Sequence, residues 1–567
     1  MPSISDITPI VGTCLIDGVA TAELLWTDRP LNFWTGIDPF TGTIIDGTSP
    51  LHKRNIAGRI LALPSSRGSH GGCLAIVDLI KNGCAPAGIV VAEDEEAILA
   101  GLIIAYILCK ETFPVLKINP LRFESIFTQS HAAIPGDSLY TQNGLIQRPQ
   151  RSTHPFNPSP ELYNQYQKLR NNITDAAARR ALDVVARFAA AKGVSRLERI
   201  DRAWIDACLH TGQTAIDLVD AFHNGIPKFP VKVVVTGIPV ARLRWEELGI
   251  RYAAVRQFDA FMKACRTMDA TDVRLNRGVP ERQRSVLLNS TFGESRPVLP
   301  EMIDFCIALT GWAPEWRLHE DSQRAPKVKV NVRVGRLEDE DVDTFYSLLG
   351  FAVGSIAGAR IPFVEDCVSS PRGKTGIHYF AAGFVATSSA PLFHFQGATR
   401  RWSVHYPRKS ALERWMPGKS PMPEATVQRE DLELAKAKLS TATDPSVKLV
   451  LLGDPNVSLG SLRVLTRHCA GRRKHEEVYF RITTDKETYN AARREVGVVE
   501  AIRGFGAEFK IDKYTCDVPN VWVARKADTI MTNSTRYAAY PKLLARRGVH
   551  FGTLKECVDA AVRGSVK

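Results

Sequence analysis

The sequence predicts a multi-domain α/β protein, in which a smaller N-terminal β/α domain precedes a large α/β/α body. Two observations predict this class. The chain has 567 residues, which is too long for one hydrophobic core, because domains usually contain on the order of 150 residues. Strand-like and helix-like segments also alternate at both ends of the chain, and such alternation is typical of parallel or mixed sheets covered by helices.

The smaller domain is expected to occupy residues 1–142. Its apolar runs predict, in order, a strand at 58–64, a helix at 73–83, a strand at 87–93, a helix at 94–110 and a strand at 113–118. The second helix carries three acidic residues at its start, where the helix dipole favours negative charge. A Gly- and Ser-rich turn lies between the first strand and the first helix.

A segment with four prolines, residues 143–161, is expected to be a linker to the body. The body, residues 162–567, is expected to contain two to three α/β subdomains. It opens with a strongly amphipathic helix at 174–193 that ends at Gly193. Its last third alternates again, with strands at 447–453, 478–484 and 527–533 and helices at 459–471 and 534–548.

The composition is that of a soluble globular protein. Hydrophobic residues make up 44% and charged residues 23% of the chain, as in ordinary globular domains. The longest apolar stretch without a charge, Ala97–Cys109, is shorter than the roughly 20 residues that a membrane-spanning helix needs. The first basic residue is Arg29, so the charged start of a secretory signal is missing. We therefore expect a cytoplasmic protein that does not bind membranes.

The charge is basic but unevenly distributed. The formal net charge is +13, yet residues 1–150 carry 10 Lys and Arg against 14 Asp and Glu. A basic body attracts nucleic acids or small anions. Basic and acidic residues alternate along this body, as in residues 472–477, and it carries no nucleic-acid-binding motif. We therefore expect a small anionic substrate and no nucleic-acid partner.

Eleven cysteines are scattered singly along the chain, with no CxxC pair. This pattern excludes a zinc ribbon, a ferredoxin-type run and a disulfide framework. A cluster assembled from distant cysteines stays open.

Three strand-to-helix turns are candidates for anion binding: Ser65–Gly72, Gly453–Gly460 and Thr532–Tyr537. Each is rich in small polar residues at a predicted helix N-terminus, where unpaired N–H groups bind carboxylates and phosphates. In the first turn, Arg67 suits carboxylate recognition, and Ser69 would act as a general base if nearby cations favour loss of its proton. The alternative is that Arg67 and Ser69 only cap local structure, and residue type alone does not decide.

The turn Ser66-Arg67-Gly68-Ser69 resembles that of the swivelling domain of the aconitase superfamily, and the surrounding residues resemble the aconitase X family. Residues 31–72 are similar to the small subunit of that family almost throughout. The part after the linker resembles the large subunit, at residues 289–296, 308–319, 349–365, 390–399, 450–462, 532–540 and 550–564. The resemblance implies an aconitase-like fold with a swivelling domain fused to the large body.

The resemblance also implies an activity, the dehydration of small hydroxy acids such as 3-hydroxyproline or mevalonate 5-phosphate. In the family an iron–sulfur cluster takes the leaving hydroxyl, and the swivel-domain serine, Ser69 here, takes the proton. The substrate carboxylate or phosphate would be held by two further turns and by the residues around Ser69. These residues are Ser66, Arg67, Gly68, His70, Asn289, Ser290, Thr532, Asn533, Ser534 and Arg536. His394 matches a family histidine, although its position between Phe393 and Phe395 is equally typical of a core residue.

Two of the three positions that match the cluster cysteines of the family hold aspartate, Asp269 and Asp454, and only Cys516 is kept. Clusters are held by thiolates, whereas carboxylates prefer hard divalent cations. We therefore expect no iron–sulfur cluster, and three alternatives stay open. The two aspartates bind a divalent metal with Cys516; one aspartate stays protonated and acts as a general acid; or both pair with arginines such as Arg266 and Arg274.

The leading interpretation is a lyase or isomerase related to the aconitase X dehydratases that works without an iron–sulfur cluster. It would act on a small carboxylate-bearing substrate by elimination, addition or double-bond isomerisation, in specialised metabolism. Ser69 would be the base and Asp454 or Asp269 the acid, with Cys516 beside them. One alternative is a metal-dependent hydroxy-acid dehydratase. The other is an inactive homologue that only binds other molecules, against which the retention of Arg67 and Ser69 argues.

Overall fold

The structure is a computed structural model. It describes residues 9–68, 71–142, 156, 158–207, 214, 217, 221–222, 228–237, 263, 265–270, 272–275, 281–294, 298–315, 321–334, 341–366, 374–396, 399, 422–453, 456–511, 529–539 and 548–566. The chain forms two compact units. Unit 1 comprises residues 1–237, 253–275 and 299–317, and unit 2 comprises residues 238–252, 276–298 and 318–567. Among the helices described, none combines the length and the apolar character needed to cross a membrane.

Unit 1 begins with an eight-stranded mixed sheet. Its strands are β1 (Ile10–Val11), β2 (Thr13–Ile16), β3 (Val19–Trp26), β4 (Ile60–Leu63), β5 (Gly88–Val91), β6 (Val115–Lys117), β7 (His131–Pro135) and β8 (Ser138–Gln142). Their order is β1-β8-β7-β3-β4-β5-β6-β2, with β3 to β6 parallel. The helices of this part are α1 (Phe33–Gly36), α2 (Gly72–Lys81), α3 (Ala97–Cys109) and α4 (Pro120–Phe123), the last followed by a 3-10 turn at Glu124–Ile126.

The rest of unit 1 adds helices and two small sheets. Its next elements along the chain are α5 (Pro160–Asn172), α6 (Ala176–Ala191), β9 (Leu197–Arg199), β10 (Arg202–Ala207), β11 (Lys232–Gly237) and β12 (Asp272–Leu275). Helix α7 (Glu281–Thr291) belongs to unit 2, and the chain then returns with α8 (Glu301–Thr310) and β13 (Trp312–Pro314). Strands β10, β11 and β12 are parallel, and β13 pairs with β9.

A hydrophobic core joins the parts of unit 1, and a second, smaller cluster lies within the N-terminal β/α part. Helix α3, apolar on all sides, packs against α2 of its own sheet and against α6 of the following part. Ile103 and Phe188 belong to this common core. At its edge the Arg187 guanidinium lies 4.9 Å from the ring centre of Tyr106, and the Lys192 ammonium contacts Glu96 at 3.1 Å. The N-terminal β/α part and the α6 part are therefore tied together by packing as well as by the chain.

Unit 2 contains two parallel sheets. The first part comprises α9 (Asp321–Arg324), β14 (Val328–Arg333), α10 (Val342–Ala357), β15 (Pro362–Asp366), α11 (Lys374–Thr387), β16 (His394–Phe395), β17 (Glu424–Gln428) and α12 (Arg429–Leu439), with strand order β16-β15-β14-β17. Helices α10 and α11 pack with their backbones in close approach, because a Cβ on Gly350 would overlap the carbonyl group of Phe380. This packing places the first turn of α10 beside the second sheet.

The second sheet has the strand order β20-β19-β18-β21-β22. Its elements are β18 (Leu449–Leu452), α13 (Leu459–Cys469), β19 (Tyr479–Thr484), α14 (Lys486–Arg494), α15 (Val498–Phe505), β20 (Ala507–Ile511), β21 (Thr529–Thr532), α16 (Thr535–Ala539), β22 (Gly548–Phe551) and α17 (Leu554–Arg563). All neighbouring strands are parallel. The carboxyl ends of β18 and β21 therefore meet at one edge.

The structure confirms the predicted α/β class and the alternating elements at both ends, with two corrections. The acidic residues 94–96 precede α3 instead of lying in its first turn, and Glu95 accepts the N–H of Ile98 from outside the helix. Asn289 and Ser290 lie in helix α7, so the predicted turn at these residues is wrong. The last predicted helix, 534–548, is described only as α16, and residues 540–547 lie outside the described residues.

Candidate active site

The first predicted anion turn connects β4 to α2, and Ser66 is fixed within it. The Ser66 N–H donates to Glu95 Oε2 at 2.6 Å, and the Ser66 hydroxyl donates to Glu95 Oε1 at 2.6 Å. Both side chains are buried. Strands β4 and β5 are parallel neighbours, so the segments after them, which carry Ser66 and Glu95, leave the same edge of the sheet. The side chain of Ser66 is thus engaged by its own domain.

Arg67 is also held from within the domain. Its guanidinium pairs with the buried Asp46 at 2.5 Å, and the same Nη2 donates to the Thr48 hydroxyl at 2.8 Å. Its Nε donates to the carbonyl of Pro30 at 3.1 Å. The guanidinium is only 6% exposed. Arg67 therefore ties the turn to the loop after α1.

Glycines shape the rest of the turn. Gly68 has φ 85°, a conformation that residues with a Cβ rarely adopt. Gly71 packs against Trp34, because a Cβ on Gly71 would lie 3.0 Å from the indole ring. The candidate base Ser69 and its neighbour His70 lie outside the described residues. Gly68 and Gly71, the residues before and after this pair in the sequence, thus have conformations or contacts that suit glycine.

The second and third turns are neighbours in unit 2, as the parallel pairing of β18 with β21 requires. Gly453, with φ 97°, donates its N–H to Asn533 Oδ1 at 3.4 Å. The Thr532 hydroxyl donates to the carbonyl of Leu451 at 2.7 Å. Asp454, the candidate acid, follows Gly453 directly and lies outside the described residues. The structure therefore brings these two predicted turns together at one sheet edge.

The third turn forms the N-terminus of α16. The Ser534 N–H donates to the Thr532 hydroxyl at 3.1 Å, and the Ser534 hydroxyl accepts the N–H of Tyr537 at 3.0 Å. Arg536, on α16, is buried, with 5% exposure. Its guanidinium is thus embedded in the protein rather than spread on the surface.

Helix α10 holds both turns through three polar side chains in its first two turns. Asp343 accepts the hydroxyls of Ser458 and Ser461, which begin α13. The Thr344 hydroxyl accepts the Asn533 amide at 3.3 Å, and Ser347 and Thr535 share a hydrogen bond of 2.7 Å. These hydrogen-bonded residues form the α10 cluster: Asp343, Thr344, Ser347, Ser458, Ser461, Asn533 and Thr535. All of its members except Ser458 are buried.

Burial changes the acid–base properties of this cluster. Desolvation raises the pKa of the Asp343 carboxyl, and the hydroxyls that donate to it lower that pKa in part. Tyr379, which donates its hydroxyl to the carbonyl of Asn456 at 2.6 Å, has its pKa raised by burial and by the nearby Asp343 charge. The cluster is therefore a network of donors around one buried carboxyl. Two of these donors, Ser458 and Ser461, follow Asp454 closely in the sequence.

Asn289, Ser290 and His394 form a separate buried group. Asn289 donates to the carbonyl of Pro391 at 3.1 Å, and Ser290 donates to the carbonyl of Val286 at 2.6 Å and accepts the N–H of Phe393. His394 Nε2 lies 2.7 Å from the carbonyl of Arg324, so this nitrogen carries the proton. Burial lowers the pKa of His394 to about 4. These internal hydrogen bonds favour the alternative that His394 is a core residue, and they do not form a turn for substrate binding.

Asp269 differs from a buried acid or a metal ligand. Its carboxylate is 58% exposed and pairs with Lys228 at 2.5 Å, and its φ is 64°. Pairing with a basic residue was one of the three alternatives, although the partner is a lysine. Asp454 and Cys516 lie outside the described residues.

At the one described position of the three that match the family cluster cysteines, Asp269 offers a carboxylate, paired with Lys228, rather than the thiolate that holds iron–sulfur clusters. In the described ranges no three His, Cys, Asp or Glu side chains come together as metal ligands. Cys265, near Asp269, is fully buried in the core, and burial raises the pKa of its thiol to about 12.

Sequence reasoning did not identify Glu95, Asp46 or the α10 members of the cluster. The sequence signal for Glu95 is its position as an acidic residue shortly after the buried strand β5. Surface acids are also frequent after strands, so this position alone does not show that the carboxylate is buried and hydrogen-bonded. The partner of Asp343 lies 115 residues away in sequence, and a single sequence contains no information on such pairing.

Four family models match the chain in order. They are the aconitase X swivel domain at residues 9–141, the first domain at 159–274, the second domain at 326–436 and the third domain at 447–563. The three predicted turns lie within the swivel and third-domain matches. The matches therefore extend over the described parts of both units.

Two curated relatives match nearly the whole chain. A cis-3-hydroxy-L-proline dehydratase of Hypocrea jecorina is 30% identical over 98% of this chain and 95% of its own length. A protein of the same name from Pseudomonas aeruginosa is 31% identical over 98% of this chain and 97% of its own length. A phosphomevalonate dehydratase small subunit of Thermococcus onnurineus is 39% identical, but over 19% of this chain and 83% of its own length.

The fold has a solved counterpart. The crystal structure of aconitase X from Thermococcus kodakaraensis, in its holo form, matches with a TM-score of 0.52 and 17% identity, over 70% of this chain and 98% of that one. At this identity the likeness concerns the fold alone. Together with the four domain models and the two full-length relatives, it shows that the chain belongs to the aconitase X family.

Proposed function

We propose that the protein is a hydro-lyase that removes water from a small hydroxy acid of the 3-hydroxyproline class. The observation that carries the proposal is the full-length similarity to two cis-3-hydroxy-L-proline dehydratases. The similarity to a phosphomevalonate dehydratase small subunit covers 19% of this chain. A hydroxylated cyclic amino acid is therefore the first substrate class to test, and a phosphorylated hydroxy acid the second.

Elimination of water needs a base and an acid. The base removes the hydrogen next to the carboxylate, the carbon–carbon double bond forms from that electron pair, and the carbon–oxygen bond breaks. The acid then protonates the leaving hydroxide, so that one water molecule is released. We assign the base to Ser69 and the binding of the substrate carboxylate to the turn around Arg67, as the resemblance implies.

We assign the acid to Asp454 rather than Asp269. Proteins keep a carboxylic acid protonated by burial or by a neighbouring negative charge. Asp269 has neither, because it is exposed and paired with Lys228. In the sequence Asp454 follows Gly453, the residue after β18, and precedes by four residues Ser458, which donates to the buried Asp343 carboxyl of the α10 cluster. Cys516 stays a candidate neighbour of the acid. No step is assigned to a metal or an iron–sulfur cluster.

The test is turnover of a panel of hydroxy acids by the purified protein. The panel contains cis-3-hydroxy-L-proline, its trans isomer, 4-hydroxyproline and mevalonate 5-phosphate. Loss of substrate and release of product are followed by chromatography, and exchange of the hydrogen next to the carboxylate is followed by NMR in D₂O. We expect turnover of a 3-hydroxyproline and exchange at its α-carbon. No turnover and no exchange with any member of the panel would contradict the proposal.

A variant pair separates an enzyme from an inactive binding protein. Ser69→Ala is expected to abolish both turnover and α-hydrogen exchange while the protein stays folded. Ser138→Ala, on strand β8, removes an exposed hydroxyl that bonds Asp137, and it serves as the matched control. Equal turnover by wild type and Ser69→Ala would remove Ser69 from the mechanism.

A further inference from the structure

Two buried carboxylates hold the turn after β4. Glu95, which follows β5, and Asp46, in the loop after α1, are 2% and 1% exposed. Glu95 binds Ser66, and Asp46 binds Arg67. We propose that Glu95 and Asp46 are positioning residues that fix Ser66 and Arg67 in the turn that leads into Ser69. The inference rests on the proposed function, because it takes the turn to carry the base and the carboxylate-binding group.

Both oxygens of Glu95 face backbone N–H donors. Oε2 accepts the N–H of Ser66, whereas Oε1 accepts the N–H groups of Glu96 at 3.0 Å and Ile98 at 3.1 Å. A glutamine amide at this position would direct its NH₂ group at one of these donors in either orientation. An unpaired buried donor is destabilising, because it loses its bonds to water without gaining a partner. The site therefore requires a carboxylate, not merely a polar side chain.

Asp46 is held in the same way. Its Oδ2 accepts the Arg67 guanidinium, and its Oδ1 accepts the N–H of Thr48 at 2.9 Å and the Thr48 hydroxyl at 2.7 Å. Since the Thr48 hydroxyl also accepts from Arg67 at 2.8 Å, the three side chains form a closed ring. An asparagine would again place an NH₂ group against a donor. Arg67 is thus fixed in one orientation.

The reach of Glu95 distinguishes it from an ordinary helix cap. The capping residues Asp175 and Asp485 bind N–H groups three residues ahead in their own helices. Glu95 does the same for α3, but it also binds Ser66, 29 residues earlier in the chain. Gly68 then turns the chain sharply with its positive φ. A shift of Ser66 or Arg67 would therefore be passed on to Ser69 directly.

The test compares Glu95→Gln and Asp46→Asn with Asp175→Ala, which removes the side-chain cap of α6 in the same unit. The readouts are kcat and KM for the hydroxyproline substrate, α-hydrogen exchange in D₂O and the temperature of unfolding. Displacement of a catalytic group by about 1 Å can cost on the order of a hundredfold in rate. We expect Glu95→Gln to lower kcat and exchange together by at least about tenfold.

Asp46→Asn is expected to raise KM by about tenfold, because Arg67 would lose the ion pair that orients its guanidinium for the substrate carboxylate. Asp175→Ala should change both kinetic constants less than about twofold while lowering the unfolding temperature, because α6 loses its N-cap. If Glu95→Gln does not fold, Ser66→Ala removes only the hydroxyl bond to Glu95. It should then lower kcat severalfold without loss of the fold.

The outcomes separate the two proposals. Active wild type with both carboxylate variants folded and kinetically unchanged would overturn the positioning role alone. An unchanged kcat in folded Ser66→Ala would also count against it. Wild type that neither turns over nor exchanges any hydroxy acid would overturn the proposed function, and the positioning role would fall with it.

Discussion

The carboxylate of Asp343 accepts the hydroxyl proton of Ser458 at 2.8 Å, and this bond joins the first turn of α10 to the cap of α13. The same oxygen accepts the hydroxyl of Ser461. Because Asp343 is 4% exposed, its charge depends on these donors rather than on water. Asp343 therefore fixes the segment that follows Asp454 by four residues.

Asp343→Asn should impair both stability and turnover. The amide keeps the shape of the side chain but replaces a charge-assisted acceptor with a weaker one, which costs about 1–3 kcal/mol in a buried network. We expect kcat to fall roughly tenfold, since the segment after Asp454 would lose its anchor. Asp485→Asn, which makes the same change at a carboxylate that accepts a backbone N–H and a hydroxyl at the start of α14, is the matched control. Equal kcat in both variants would make Asp343 purely structural.

Local patterns predicted the elements around the site because buried parallel strands are continuous apolar runs, as at Ile60–Leu63 and Leu449–Leu452. The turn at Asn289 and Ser290, which the family resemblance implied, is wrong. These residues lie in helix α7, where the Ser290 hydroxyl bonds back to the carbonyl of Val286.

The candidate site was predicted only where its residues are contiguous. The turns at 65–68, 453 and 532–534 are recognisable from composition and from the family resemblance. Glu95 and Asp343 act through partners 29 and 115 residues away. Those pairings depend on strand order and helix packing, and neither is determined by local sequence.

Gly350→Ala should destabilise unit 2. A methyl group at this position would overlap the carbonyl of Phe380 in α11, and a backbone atom cannot move aside as a flexible side chain can. We expect a loss of about 3 kcal/mol or more in the free energy of unfolding, at the upper end of the usual cost of overpacking. The measurement is chemical unfolding followed by circular dichroism.

Gly504→Ala is the matched control for that change. Gly504 also lies in a helix, α15, but a Cβ added there would meet no atom within 4 Å. Because alanine restricts the unfolded chain more than glycine, this variant should be stabilised by about 0.5–1 kcal/mol. Equal effects of the two substitutions would show that α10 and α11 do not pack through Gly350.

His394 should make the protein sensitive to acid. Burial lowers the pKa of His394 to about 4, below the ordinary value of 6.5. Below pH 6.5 the unfolded chain binds a proton at this histidine that the folded protein does not, so stability falls as the pH drops toward 4. The loss should reach roughly 3 kcal/mol at most. Above pH 6.5 this residue should contribute no pH dependence.

His394→Gln tests this assignment, because glutamine retains an N–H donor for the carbonyl of Arg324 and does not titrate. Unfolding temperatures are measured between pH 4 and 8 for both proteins. The wild type should lose more stability than the variant between pH 6.5 and 4. Parallel curves would mean that His394 is solvated and outside the core.

The absence of thiolates at two family cluster positions predicts the metal content of the protein. Asp269 and Asp454 are carboxylates, and Asp269 is paired with Lys228, whereas iron–sulfur clusters depend on thiolate ligands. Anaerobically purified protein should therefore contain iron and acid-labile sulfide well below about one atom per chain and show no visible absorption band. Turnover should be unaffected by a chelator and strongly reduced in Asp454→Asn.

Iron and sulfide at about two or more atoms per chain would contradict this prediction and restore cluster chemistry. One stoichiometric divalent ion, with activity lost on chelation, would favour a metal site rebuilt from carboxylates.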